Sequence, residues 1–262
     1  MKTVIAIMGS ARRKGFTYLA TRQFLDNLNS FGDVQSEMLF LSDFAIQPCN
    51  GCKRCFLRGE EFCPLKDDRD LLIRKMLDSD GVVFATPNYS FQVSGRMKLF
   101  LDRLGFVFHR PCFHGKAFTC IVAQGIFGGG KVVKYLSFAG NGLGFNVVKG
   151  SCVTALEPMT AKDRARMEKA VGAQSKQFYE RLMQPVLPAP SLFQLMGFRM
   201  GRTSVRLTLN EDKRDYTYYR DHGWFNSDYF YPTRLGPVKR AAGAAFDWAA
   251  GRIFANRGDA RA

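Results

Sequence analysis

Residues 3–17 read TVIAIMGSARRKGFT, from Thr3 through Gly9 and Gly15 to Thr17. The first six are apolar or β-branched without interruption, the pattern of a strand buried on both faces of a parallel sheet. Gly9 and Ser10 then break the run, and the segment 16–28 places apolar residues at helical spacing. A strand that turns through Gly and Ser into a helix presents unpaired backbone N–H groups and a positive dipole end, which suit a phosphate. Ser10 and Thr17 add hydroxyl donors and Arg12 a charged one. The stretch is neither a Walker loop, which needs GK[ST], nor the dinucleotide GxGxxG pattern. An ordinary strand–helix turn with a hydroxyl cap is the competing reading.

Working outward, the same alternation continues to about residue 157. Strands are expected at 34–40, 81–85, 117–123 and 146–153, and helices at 67–77, 94–108, 131–139 and 161–182. Strands alternating with longer periodic segments imply βαβ units in a doubly wound parallel sheet, with ligands at the carboxyl ends of the strands. Three prolines within residues 185–190 mark a linker. The expected organisation is therefore a ligand-binding domain over 1–184 and an aromatic, basic extension over 185–262. The extension, helical at 193–206 and aromatic at 215–232, is too short and irregular to bury a good core alone. It is expected to pack on the core or on a partner subunit.

Two further loops follow strands. TPNYSFQVS (86–94) succeeds the third strand. Pro87 stops that strand, Tyr89 and Phe91 can stack on a flat ring, and Asn88 with the loop amides can address ring-edge heteroatoms. QGIFGGG (124–130) succeeds the fourth strand and allows close backbone approach at Gly125 and Gly128. Each loop alone also reads as sheet cover or hinge. Their shared position at strand carboxyl ends is the stronger signal.

GSARRKGFT, the four-cysteine run CNGCKRC…C followed by PLKDD, ATPNYSFQVSGRMKLFLDR and the glycine-rich loop occur in this order. Together they resemble the NAD(P)H-dependent FMN reductase-like branch of the flavodoxin superfamily, and within it most of all the iron–sulfur flavoproteins. The resemblance covers roughly the first 180 residues and implies a flavodoxin-like five-stranded sheet of order 2-1-3-4-5. It implies FMN, with its phosphate on Ser10, Arg12, Gly15, Phe16 and Thr17. Pro87, Asn88, Tyr89, Ser90 and Phe91 would line the ring, with Gly125 and Gly128 on its other side. Ala11 and Phe16 depart from the family's usual GSPRKxGNT. The implied activity is NAD(P)H oxidation with electron transfer to a small-molecule or protein acceptor, in a homodimer or homotetramer. No catalytic side chain is expected, because hydride transfer to a flavin requires no acid or base from the protein. An FMN-binding electron carrier without turnover is the alternative.

Cys49, Cys52, Cys55 and Cys63 fall within fifteen residues of loop. Such tight spacing favours a [4Fe–4S] cluster over zinc, which usually takes two separated CxxC hairpins. Packed thiols and a redox dithiol are the other two readings. Cys112, Cys120 and Cys152 read as core residues.

The formal net charge is +15, from 38 Lys and Arg against 23 Asp and Glu. The excess is dispersed, with no basic block, helix-turn-helix signature or zinc-finger spacing. It suits anionic cofactors, and a nucleic-acid or membrane-surface protein is the minority reading. No apolar run approaches the ~20 residues that span a bilayer. The N-terminus lacks the charge-then-apolar order of a secretory leader, so a cytoplasmic protein is expected. His109 and His114 read as surface or capping residues, Asp67 and Asp68 as helix-start charges, and Glu60 and Glu61 as solvated. The amphipathic segment 239–256, with its basic side, reads as packing on a partner subunit, with a place on a membrane surface as the other reading.

Overall fold

The computed structural model describes residues 1–154, 156–184 and 187–258, with the side chains of 256–258 excepted. The chain divides into two compact units. One comprises Met1–Cys49, Asp67–Gly105 and Cys112–Val186, the other Asn50–Lys66, Phe106–Pro111 and Leu187–Ala262. The linker expected at 185–190 begins at Pro185 and Val186, which lie outside the described residues.

The first unit is built on six strands: β1 (Lys2–Met8), β2 (Val34–Phe40), β3 (Gly81–Pro87), β4 (Ala117–Gln124), β5 (Asn146–Val147) and β6 (Ser151–Thr154). They form a parallel sheet of order β2-β1-β3-β4-β5, with β6 also pairing with β4. This is the doubly wound order implied by the sequence. The expected fifth strand is split in two. Between its halves a Cβ on Gly150 would meet the Cys120 sulfur at 2.4 Å. All seven residues of β3 are buried, whereas the edge strand β2 carries exposed polar positions. That contrast is the one expected between the centre and the edge of a parallel sheet.

Helices α1 (Phe16–Phe31), α3 (Arg69–Asp78), α4 (Gly95–Arg103), α5 (Gly129–Gly142) and α6 (Ala161–Leu182) cover the two faces. Helix α1 buries Thr17, Ala20, Thr21, Phe24, Leu25 and Leu28, a stripe at helical spacing. It packs with α6 through Phe24 and Phe178, whose rings meet edge-on at 5.4 Å. On the opposite face, Phe84 and Phe118 of the central strands pack edge-on against each other at 5.0 Å, and Phe84 meets Phe100 of α4. The helix expected over 94–108 ends at Arg103, and a separate helical turn spans Gly105–Phe108.

The second unit contains the short helix α2 (Arg54–Leu57) and helices α7 (Leu192–Thr208), α8 (Arg214–Asp221) and α9 (Pro237–Gly258). Its core joins Leu195, Phe198, Tyr219, Trp224, Tyr229 and Leu235. The Trp224 indole N–H donates to Phe230 O at 3.1 Å, which gives the buried ring its polar partner. Arg199 is buried between Asp228 and Asp247, so its charge is compensated on two sides. The aromatic extension thus has a core of its own residues, and its unit also takes in two segments from earlier in the chain.

Candidate functional site

The loops after β1, β3 and β4 meet in one cleft of the first unit. Ser10, Arg12, Gly15, Phe16, Thr17, Pro87, Asn88, Tyr89 and Gly125 line it, and with them Ala123, Gln124 and Glu157. Ser90, Phe91 and Gly128 do not line the cleft. The cleft volume is about 150 Å³. That is below the ~300–1,000 Å³ of sites that enclose a whole ligand, a size that would take only part of such a molecule.

Its floor is an uncapped helix start. Gly15 is the N-cap of α1, offers no side-chain cap and is followed by no acidic residue in the first turn. The first intrahelical bond at this end is donated by Leu19 to Gly15 O, so the amides of Phe16, Thr17 and Tyr18 precede the helical ladder. Ser10 and Thr17 are buried beside them, and the Ser10 hydroxyl accepts the Arg12 N–H at 3.2 Å, leaving its own proton to donate. Neighbouring Arg13 is engaged elsewhere, in a two-point pair with Asp43 at 2.6 and 2.7 Å and over the Phe40 ring.

Ser94 joins the first and second loops. Its hydroxyl donates to Gly9 O at 2.7 Å and accepts the Met97 N–H, while its own N–H donates to Thr86 Oγ1. Gly9 is required at this joint. A Cβ there would stand 2.8 Å from Ser94 Oγ and 3.0 Å from Met97 Cβ. Asn88 joins the second and third loops, its N–H donating to Ala123 O and its Nδ2 to Phe127 O. Asn88 Oδ1 is buried, with no donor reaching it among the described residues.

The tip of the second loop is a two-residue turn. Tyr89 and Gln92 exchange both backbone hydrogen bonds at 3.0 Å, with Ser90 (φ 49°) and Phe91 (φ 62°) left-handed between them. Such turns favour Asn-Gly, and a bulky residue at positive φ stores of order 1–3 kcal/mol of strain. The strained turn presents Tyr89 and Phe91, each more than half exposed. Phe91 lies against Phe127 at 5.4 Å, and a Cβ on Gly128 (φ +94°) would reach Phe91 Cδ1 at 2.6 Å. Gly128 therefore supports the aromatic rim beside the cleft.

Gln124, Glu157 and Ser94 are contributions the sequence reading missed. Gln124 Oε1 accepts the Gly129 N–H at 2.7 Å and so caps α5. Ser94 carried a local signal, a hydroxyl before an amphipathic helix. Glu157, in an irregular segment, carried none.

The cysteine segment is arranged differently. Cys49 and Cys52 are exposed, Cys55 and Cys63 half-buried. Among the described residues no group of three or more His, Cys, Asp or Glu side chains converges as a metal centre requires. Cys52, Cys55 and Cys63 of the second unit are therefore not gathered as a cluster would need. Glu60 is not a solvated side chain, since its Oε2 accepts from Arg110 at 2.8 Å. Asp67 does more than open a helix. Buried with Arg103, it accepts from the Arg103 guanidinium and from the Gln47 and Arg69 N–H groups. Burial pushes its carboxyl pKa up, but those donors outweigh it and hold the group below the usual carboxylate range. The Cys120 thiol, fully buried, is pushed up by burial to about 12, and the half-buried Cys152 is raised for the same reason.

Residues 2–157 match the family described as NADPH-dependent FMN reductase. The chain is 37% identical over 100 residues to an iron–sulfur flavoprotein of Methanocaldococcus jannaschii, covering 38% of this chain and 50% of that protein. It is 31% identical over 156 residues to an iron–sulfur flavoprotein of Archaeoglobus fulgidus, covering 56% and 70%. The match thus spans half the length of the first relative. Among solved structures, RosB with a bound 8-demethyl-8-formylriboflavin-5′-phosphate intermediate superposes with a TM-score of 0.56 at 14% identity, covering 90% of this chain and 92% of that one. At that identity the likeness concerns the fold alone.

Proposed function

We propose, from the premise that the chain belongs to the NADPH-dependent FMN reductase family, that this flavin-dependent oxidoreductase binds FMN in the three-loop cleft and oxidises NAD(P)H. The observation that carries the proposal is the uncapped start of α1 at the floor of a cleft lined by Ser10, Arg12 and Thr17. FMN bound there would supply a two-electron centre that takes hydride from NAD(P)H and hands electrons to a small-molecule or protein acceptor.

Each residue then has a stated task. The amides of Phe16 and Thr17, the hydroxyls of Ser10 and Thr17, and the Arg12 guanidinium hold the phosphate, with Gly15 leaving the helix end uncovered. Pro87, Asn88 and Tyr89 form the wall beside the ring. Ser90, Phe91, Gly125 and Gly128 supply the rim. Held on rigid strand ends, these groups orient the ring without reorganising. Further parts of the proposal are a homodimer or homotetramer and a cytoplasmic setting. No helix among the described residues is long and apolar enough to cross a membrane.

The relatives described as iron–sulfur flavoproteins favour a second reading, an FMN-binding electron carrier that turns over no small substrate. Steady-state assay of the FMN-loaded chain with NADH and NADPH decides between the two. Continuous oxidation of either nucleotide with a quinone or ferricyanide acceptor is expected. Loading with FMN but no oxidation leaves the carrier. In the same assay Arg12→Ala should weaken FMN binding about tenfold, the loss of one charge-assisted contact.

A further inference from the structure

We propose that helix α8 acts as the clamp of residues 52–63, with Arg110 as the joint and Asp215 as its buried counter-ion. The inference concerns the second unit alone and stands whether or not the cleft binds FMN.

Arg110 is almost fully buried and its guanidinium has partners on two sides. Its Nη1 donates to Asp215 Oδ1 of α8 at 2.7 Å. Its Nη2 donates to Glu60 Oε2 at 2.8 Å and to the Cys55 carbonyl at 3.0 Å, both in the cysteine segment. The rings of Phe106 and Tyr218 flank it at 5.5 and 5.6 Å. Asp215, 1% exposed, takes a second bond from His109 Nδ1 at 2.8 Å. The Tyr219 hydroxyl donates to His109 O at 2.9 Å, and the His109 ring lies on Phe56 with centroids 4.3 Å apart. Two residues of α8 therefore fix His109 and Arg110. These in turn hold Cys55, Phe56 and Glu60, which lie between Cys52 and Cys63 in the chain.

A buried guanidinium deprived of its carboxylate is strongly unfavourable, so Asp215 sets whether Arg110 stays in place. The segment's own helical elements are short. They are one four-residue helix, entered through a left-handed Lys53 (φ 58°), and one helical turn. Such short elements are not stable on their own. Cys55 is held through its carbonyl, and the Cys63 N–H donates to the carbonyl of the clamped Glu60 at 3.2 Å, so both follow a residue more than 150 positions further along the chain.

The test is pulsed alkylation of the full chain with iodoacetamide, each cysteine quantified by mass spectrometry, in Asp215→Asn and in the milder Glu60→Ala. Cys52, already exposed, is the internal reference, and half-buried Cys152 of the first unit reports general loosening. With the clamp as described, Asp215→Asn raises labelling of Cys55 and Cys63 about tenfold and Glu60→Ala about threefold, with Cys152 unchanged. Equal rises at Cys152 would make Asp215 a general stability residue and overturn the proposal. So would wild-type labelling of Cys55 and Cys63 in a folded Asp215→Asn protein. Should Asp215→Asn fail to fold, Glu60→Ala decides by the same two criteria.

Discussion

The cleft and the cysteine segment are the two chemistry-bearing regions of this chain, and they are built in opposite ways. The cleft gathers residues from three loops, each anchored at the end of a buried strand, and Ser94 and Asn88 tie those loops together. The cysteine segment has its candidate ligands contiguous in sequence, yet no three of them converge among the described residues. Proximity along the chain does not assemble a site, whereas attachment to a rigid sheet does.

The largest effect expected from breaking that contrast lies at Asp67, in the first unit just after the cysteine segment. Arg103→Leu leaves its carboxylate buried without its cation and should cost about 3–5 kcal/mol in denaturant unfolding. The pH dependence has a definite sign. The folded Asp67 carboxyl lies below its unfolded value, so its contribution is complete above the ordinary carboxylate range and is lost as pH falls through the folded value. The wild type should therefore lose stability on acidification below about pH 4, and Asp67→Asn should flatten that part of the profile.

A smaller effect is expected at the joint of the cleft. Gly9→Val forces a side chain onto Ser94 and Met97 and should cost about 1–3 kcal/mol, with weaker FMN binding, read by thermal melts with and without FMN. Smaller again is Ser90→Asn, which places a residue tolerant of left-handed backbone in the strained turn. It should stabilise by about 0.5 kcal/mol, seen as a rise in melting temperature. The smallest effect sharpens the comparison most. Cys52→Ser should leave FMN affinity within about twofold of wild type by fluorescence titration, since Cys52 does not line the cleft.

The parts legible in the sequence are those governed by local pattern. The buried run from Val4 to Met8, the glycine turn and the amphipathic start of α1 each write their structure in consecutive residues. Nine of the cleft-lining residues lie in the loops that such patterns mark, whereas the strand order rests on the family resemblance. Tertiary partners were not legible. Asp215 stands in a charged, tyrosine-rich stretch that resembles a solvated surface, and only the fold places Arg110 beside it. Glu60 and Glu61 look alike in sequence, but Glu60 is paired with Arg110. The four-cysteine spacing speaks of ligand chemistry and is silent about which backbone would hold the thiols together.

On the proposed function the cleft recognises a flavin by its phosphate, through the uncapped start of α1. Calorimetric titration of the same chain with FMN and with riboflavin, which lacks only the phosphate, tests it most directly. FMN should bind at micromolar or better affinity and riboflavin about a hundredfold more weakly, the worth of two charge-assisted contacts. Equal affinities for the two, or no binding of either, would contradict it.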